Sequence, residues 1–375
     1  MSETLLKTPL HDKHVSAGAT MGPEDGWAVP LRYGSPLDEA LAIRSRAGLS
    51  DLSHMGRLRI RGDGAVELLE RLCTADVAHQ EDNTAQDTLL CNDRGGILDK
   101  CGLIRLENFW VLTTSATNRL KILAYLQVHA QDLGGATVDD QTEKVVQIAV
   151  AGPGAERILD QVLPISIAGL KPNDVRTGSL MIANYIAFRS DSCGLFTLEV
   201  MLPGMFAGRA WDYITQKSDR AVLAPAGVLA QDILRIEAGR CRYGYEINET
   251  IDPASAGLMG CVDIGHDFIG AEAIGKLAGK TPARIRCGLV LEAPTGAAST
   301  PAIPTPGSAI CQPDGLEVGN ITSATFSPTL EKVIAQAYIS AEATSSETEL
   351  LVHSAEQTTA AKVSPMPFGL FPKKQ

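Results

Sequence analysis

In the stretch "NDRGGILDKCGLIRL", residues 92–106, an acid and a base, Asp99 and Lys100, stand side by side just past a Gly-Gly pair. A carboxylate beside a turn can position an amine or move a proton, and an ammonium in the same place can hold an anion. A second ionisable residue stands out in "FTLEVML", where Glu199 interrupts an apolar run. In such a strand it either alternates toward solvent or accepts hydrogen bonds inside a pocket. His11 and His14 lie three apart in "HDKH", the spacing of a ligand pair on a helix, but no neighbouring Cys or acidic cluster completes a metal site. The eight cysteines contain no C-x-x-C, which fits neither zinc nor a redox motif. Of these, Cys101 and Cys193 flank candidate turns, where a thiolate could accept a methyl group.

These residues need elements to hold them. Residues 36–48 carry apolar side chains at helical spacing and are expected to end in a C-cap at Gly48. Alternation around Leu58 and Ile60 marks a strand, and "DGAVELLERL" a helix with Asp63 at its N-cap. The Asp99–Lys100 stretch reads as strand, turn, strand, and "NFWVLTTSA" as a further strand before a helix. From about 145 strands and helices alternate again, Glu199 falling in a strand-turn-strand unit, and a strong helix follows to Gly239. After about 283 short β runs alternate with Gly, Pro, Ser and Thr, the pattern of a small barrel. The loop "PTGAASTPAIPTPG", 294–307, belongs inside that barrel. Strand-turn-strand units imply an α+β fold with antiparallel sheets.

Composition limits the function. A formal net charge of −11 argues against nucleic acid as a partner and against a polybasic membrane anchor. No apolar run approaches the roughly 18–20 residues that span a bilayer. The polar N-terminus lacks the apolar core of a secretory signal, so the chain is expected to be cytoplasmic. Phosphate-loop, nucleophile-elbow and zinc-helix motifs are all absent.

Seven segments, taken in order, carry a resemblance: "TPLHDKHVSAGATM", "GWAVPLRYG", "RSRAGLSDLSHMGRLRIRG", "NDRGGILD", "ILRIEAGRCRYGYEI", "DFIGAEAI" and "VGNITSATFSPTL". The chain resembles the glycine-cleavage T-protein family of tetrahydrofolate-dependent aminomethyltransferases and their demethylase relatives. The resemblance implies a three-domain clover-leaf around a pterin pocket. The expected domains are residues 1–53 with 145–282, residues 54–144, and a β-barrel over 283–375.

The resemblance also implies the site. In the family two consecutive acids follow the Gly-Gly turn and the second is taken to act beside the folate. Here Asp99 keeps the first, and Lys100 replaces the second. The family's Tyr before the turn aligns with Asp87, which suggests an Asp87–Lys100 ion pair with the acid moved across the pocket. Glu199 matches the carboxylate that clamps the pterin, and Met55 of "SHMG" lines the pocket. Arg189 keeps a family arginine, while Ser192, Gln231 and Thr114 stand where the family has Tyr, Arg and Asn. Three functions fit this pattern. One is a tetrahydrofolate-dependent one-carbon transferase or demethylase with a remodelled site and a small-molecule donor. The others are an enzyme using the pocket for a different reaction or cofactor, and a non-catalytic pterin-binding assembly protein. A lipoyl carrier protein is a further candidate partner.

Overall fold

The computed structural model describes residues 4–163, 167, 169–180, 182–191, 193–218, 222–277, 279–292, 302–345, 349–354 and 357–369. Ser192 and residues 294–301 of the expected barrel loop therefore lie outside the described residues. The chain divides into two compact units. The first comprises 1–90, 99–231 and 265–268, and the second 91–98, 232–264 and 269–375.

Two sheets build the first unit. One has six strands in the order Val175–Leu180, Ala183–Ser190, Thr197–Pro203, Val145–Ala151, Ala47–Asp51 and Leu223–Pro225. All its pairings are antiparallel except the last. The other has five, ordered Thr84–Cys91, Ile97–Leu106, Phe109–Thr114, Gly56–Arg61 and Thr137–Asp140. One face of the six-stranded sheet buries Leu49, Ile148, Leu198 and Val200 with the helices Ala155–Val162 and Ala207–Lys217. Its other face meets the five-stranded sheet, packing Phe188 and Met201 with Ile104, Leu106 and Val111. This is the period-2 alternation of strands with both faces covered.

The helix expected over 36–48 stops earlier, at Ser45. Ser35 caps its start, but Gly48 is no C-cap: it lies within the Ala47–Asp51 strand and pairs with Ala151. Ladder pairing along both edges of this strand outweighs the local helical pattern. Asp63 likewise caps nothing, since the helix Ala65–Leu72 begins after Gly64 without a side-chain cap.

In the second unit the expected barrel is present, closed by six strands in the order Arg284–Leu291, Lys332–Ser340, Glu317–Ser327, Ala309–Cys311, Glu349–His353 and Thr358–Ser364. Alanines 335 and 337 with Ile321, Leu289 and Val352 fill its interior. The Gly-Gly turn belongs to this unit. Gly95 has φ +81°, and the Asn92 carboxamide oxygen accepts from the Arg94 and Gly96 amides at 3.0 Å each. A Cβ on Gly96 would lie 1.8 Å from the Glu249 carbonyl oxygen, a backbone atom that cannot swing aside. Gly96→Ala is therefore expected to destabilise the protein by roughly 2–4 kcal/mol, read as a lower midpoint in urea.

Candidate functional site

Strand alternation decides which ionisable groups meet. On the strand Ile97–Leu106, Lys100 shares a face with Ile104 and Leu106, which point to the six-stranded sheet, whereas Asp99 shares the opposite face with Cys101 and Leu103. On Thr197–Pro203, Glu199 shares the face of Met201. Lys100 and Glu199 thus line the same cleft between the two sheets.

Lys100 Nζ donates to Asp87 Oδ2 at 2.6 Å, with side chains 21% and 48% exposed. Asp87 is also close enough to Glu199 to raise its pKa. Glu199 is buried and touches no cation among the described residues. Gln147 Nε2 donates to its Oε2 and Ser190 Oγ to its Oε1, both at 2.6 Å. Burial, the largest cause, pushes the Glu199 carboxyl above its ordinary value, against these two donors. Gln147 in turn is held by Arg57, whose Nη1 donates to its Oε1 at 3.3 Å.

Asp99 has a different environment. It is 1% exposed; its Oδ1 accepts from the Lys100 amide at 3.0 Å, and its Oδ2 from the Ser115 amide and hydroxyl at 2.9 and 3.1 Å. Burial raises its pKa despite these bonds and a further one from Asn118. It fixes the chain after Thr114 instead of facing the cleft.

The other sequence candidates scatter. Arg189, one residue from Ser190, lies on the far face of its strand, stacking over Phe196 at 5.0 Å and donating to the Leu170 carbonyl. Thr114 is buried, its hydroxyl turned to the Ser115 carbonyl. Met55 is half-buried in the turn before Gly56, and Gln231 buries its side-chain nitrogen without a hydrogen-bond partner among the described residues. His14 is engaged in the core: its Nε2 lies 2.9 Å from Asp51 Oδ2 and its Nδ1 2.7 Å from the Tyr33 hydroxyl. Among the described residues no cluster of three His, Cys, Asp or Glu could hold a metal. Burial raises the pKa of Cys101 and Cys193, so neither is a ready thiolate.

Ser190 and Gln147 were missed in the sequence, although alternation points to both. Glu199 pairs across its ladders with Phe188 and Ala149, so Ser190 and Gln147, each two residues from a partner, share its face.

Residues 10–266 match the model of the GCVT N-terminal domain, and residues 284–369 that of the glycine cleavage T-protein C-terminal barrel domain. The chain belongs to the glycine cleavage T-protein family. It is 31% identical to the aminomethyltransferase of Thermotoga neapolitana over 90% of both chains. It is 35% identical to that of Streptomyces avermitilis over 89% of both. The crystal structure of glycine cleavage system aminomethyltransferase T from Bartonella henselae superposes with a TM-score of 0.88 at 29% identity, covering 97% of this chain and 98% of that one. Like these T-protein relatives, the chain is an enzyme, a transferase of one-carbon groups. No helix among the described residues is long and apolar enough to cross a membrane.

Proposed function

We propose that this T-protein moves a methyl or aminomethyl carbon from a small donor to tetrahydrofolate, with a catalytic turn altered from the family's. One observation carries the reading: a buried carboxylate, Glu199, shares its cleft with an ion pair, Lys100–Asp87, at positions where the resemblance implies an acid and a tyrosine.

Glu199 fits a pterin. A carboxylate offers about four acceptor sites, and Gln147 and Ser190 occupy two of them. The remaining pair suits adjacent amino and ring N–H donors, and their bonds would offset the burial of the charge. Tetrahydrofolate supplies the nitrogen nucleophile that accepts the carbon. Gln147 and Ser190 fix the orientation of the carboxylate, and Arg57 fixes Gln147.

In place of the family's acid, Lys100 supplies a positive charge and holds Asp87 beside it. Asp87 then carries the negative group that steadies cationic charge developing at the carbon. Asp99 cannot take that part, because its oxygens are committed to Lys100 and Ser115 backbone donors. The exchange disfavours ordinary aminomethyl transfer and points to a different donor, such as a methylated amine.

Calorimetry with tetrahydrofolate, followed by mass analysis of the folate after incubation with methylated amines and with a lipoyl-borne aminomethyl group, tests this. Binding with conversion by a small donor is the expected result; absence of folate binding overturns the reading. Clamping requires the ionised carboxylate, and burial raises the Glu199 pKa. Affinity should therefore fall on acidification at a pH above 4.5, the ordinary glutamate value, where an exposed glutamate would still be charged.

A further inference from the structure

Ile122, Leu126 and Ala130 bury one stripe of the helix Arg119–Leu133. At about 100° per residue the opposite, outward face is centred on Ala124 and Val128. Leu120 and Gln131 flank that centre on one side, Lys121 and Asp132 on the other. All six are exposed, Leu120 at 69% and Val128 at 56%. The outward stripe of a surface helix is ordinarily polar or charged. Here its central ridge, Leu120, Ala124 and Val128 at four-residue spacing, carries no charge, and one cation and one anion stand at opposite ends of the same flank.

This placement is self-complementary. A second copy can be turned end for end about a two-fold axis that crosses the helix midway between Ala124 and Val128. Such an axis reverses direction along the helix and keeps each flank on its own side. Val128 of each copy then lies over Ala124 of the other, large against small, as a knob over a hole. Lys121 stands five residues before the axis and Asp132 six after it, so each lysine comes level with the other copy's aspartate on one flank. On the other flank Leu120 comes level with Gln131. A parallel pair would instead set Lys121 beside Leu120 and Asp132 beside Gln131, so charge favours the antiparallel direction.

We propose that this face is a two-fold interface between copies of this chain, with two antiparallel Arg119–Leu133 helices meeting along Leu120, Ala124 and Val128. Chains of net charge −11 repel one another. This face, where one lysine offsets one aspartate, is a place where they can approach. A 15-residue helix is about 22 Å long, so the contact belongs to the small class of interfaces. The dimer is correspondingly weak, with a Kd on the order of 10–100 µM. It does not depend on the folate reading at Glu199.

Sedimentation velocity and light scattering on the full chain, from about 1 to about 300 µM, test this. The mean mass should rise with concentration toward twice that of one chain. Val128→Glu puts a carboxylate at the centre of the ridge and should weaken association at least about tenfold. Its thermal midpoint should not move, because the side chain is exposed. Lys121→Asp and Asp132→Lys should each weaken the dimer by about threefold or more, and the two together should restore it to within about twofold. A chain still monomeric at the highest concentration overturns the proposal. A dimer that Val128→Glu leaves intact uses another surface and overturns it too. A double exchange no stronger than the single ones removes the antiparallel match, with the same consequence.

Discussion

Glu199→Gln is expected to lower tetrahydrofolate affinity by about 100-fold or more while leaving the protein at least as stable at neutral pH. Two charge-assisted hydrogen bonds at roughly 1.5–3 kcal/mol each account for the loss. The glutamine also turns an amide N–H2 toward pterin donors that need an acceptor. The stability claim follows from the raised carboxyl pKa, which burial causes. A carboxyl whose folded pKa exceeds its unfolded value binds more protons when native. Its contribution to stability is therefore lost as pH rises from the ordinary value of 4.5 through the folded one. Above that window wild type carries a buried charge that the amide lacks; the glutamine oxygen can accept from Gln147, and its N–H2 can donate to the Ser190 hydroxyl, which accepts as well as donates. Calorimetry paired with thermal melts reads both effects. A variant that binds folate as wild type does would remove Glu199 from the clamp, and a large fall in midpoint would make its role structural.

How far this site could be read from sequence depended on which signals were local. The Gly-Gly turn is local: Gly95 needs positive φ and Gly96 the space beneath the Glu249 carbonyl, and both appear as letters in a row. Glu199 was visible because a carboxylate in an apolar strand is conspicuous. Its partners come from two other strands, Val145–Ala151 and Ala183–Ser190, and become visible only once the register is known. Arg189 was named because it keeps a family arginine, but one residue along a strand is the opposite face, and Ser190 is the one that donates to Glu199. Gly48 shows the same limit in the fold. Its helical context was genuine, and pairing with strands distant in sequence overrode it.

The exchange of Asp87 and Lys100 should be reversible in function. On the proposed reading, Asp87→Tyr with Lys100→Asp puts an aromatic and an acid where the resemblance implies them, and aminomethyl transfer to tetrahydrofolate in a reconstituted glycine cleavage assay should rise by about 100-fold over wild type. That size is typical of supplying one well-placed charged group to a transition state, roughly 10²–10³. Lys100→Asp alone should do worse than the double variant. It sets a second carboxylate against Asp87, where the wild-type pair sits at 2.6 Å, and like charges at that range disfavour ionisation of one of them. Lys100→Ala should abolish most turnover of the native donor, because Asp87 loses the cation that holds it. Folding does not confound these variants: the pair is partly solvated, and such pairs contribute about 0–1 kcal/mol. Aminomethyl transfer by wild type at the rate of the double variant would mean that Lys100 never altered the reaction. Full native turnover by Lys100→Ala would mean that Asp87 acts without it. If neither occurs, two residues thirteen apart in the chain, on neighbouring strands of one sheet, determine which carbon donor this fold accepts.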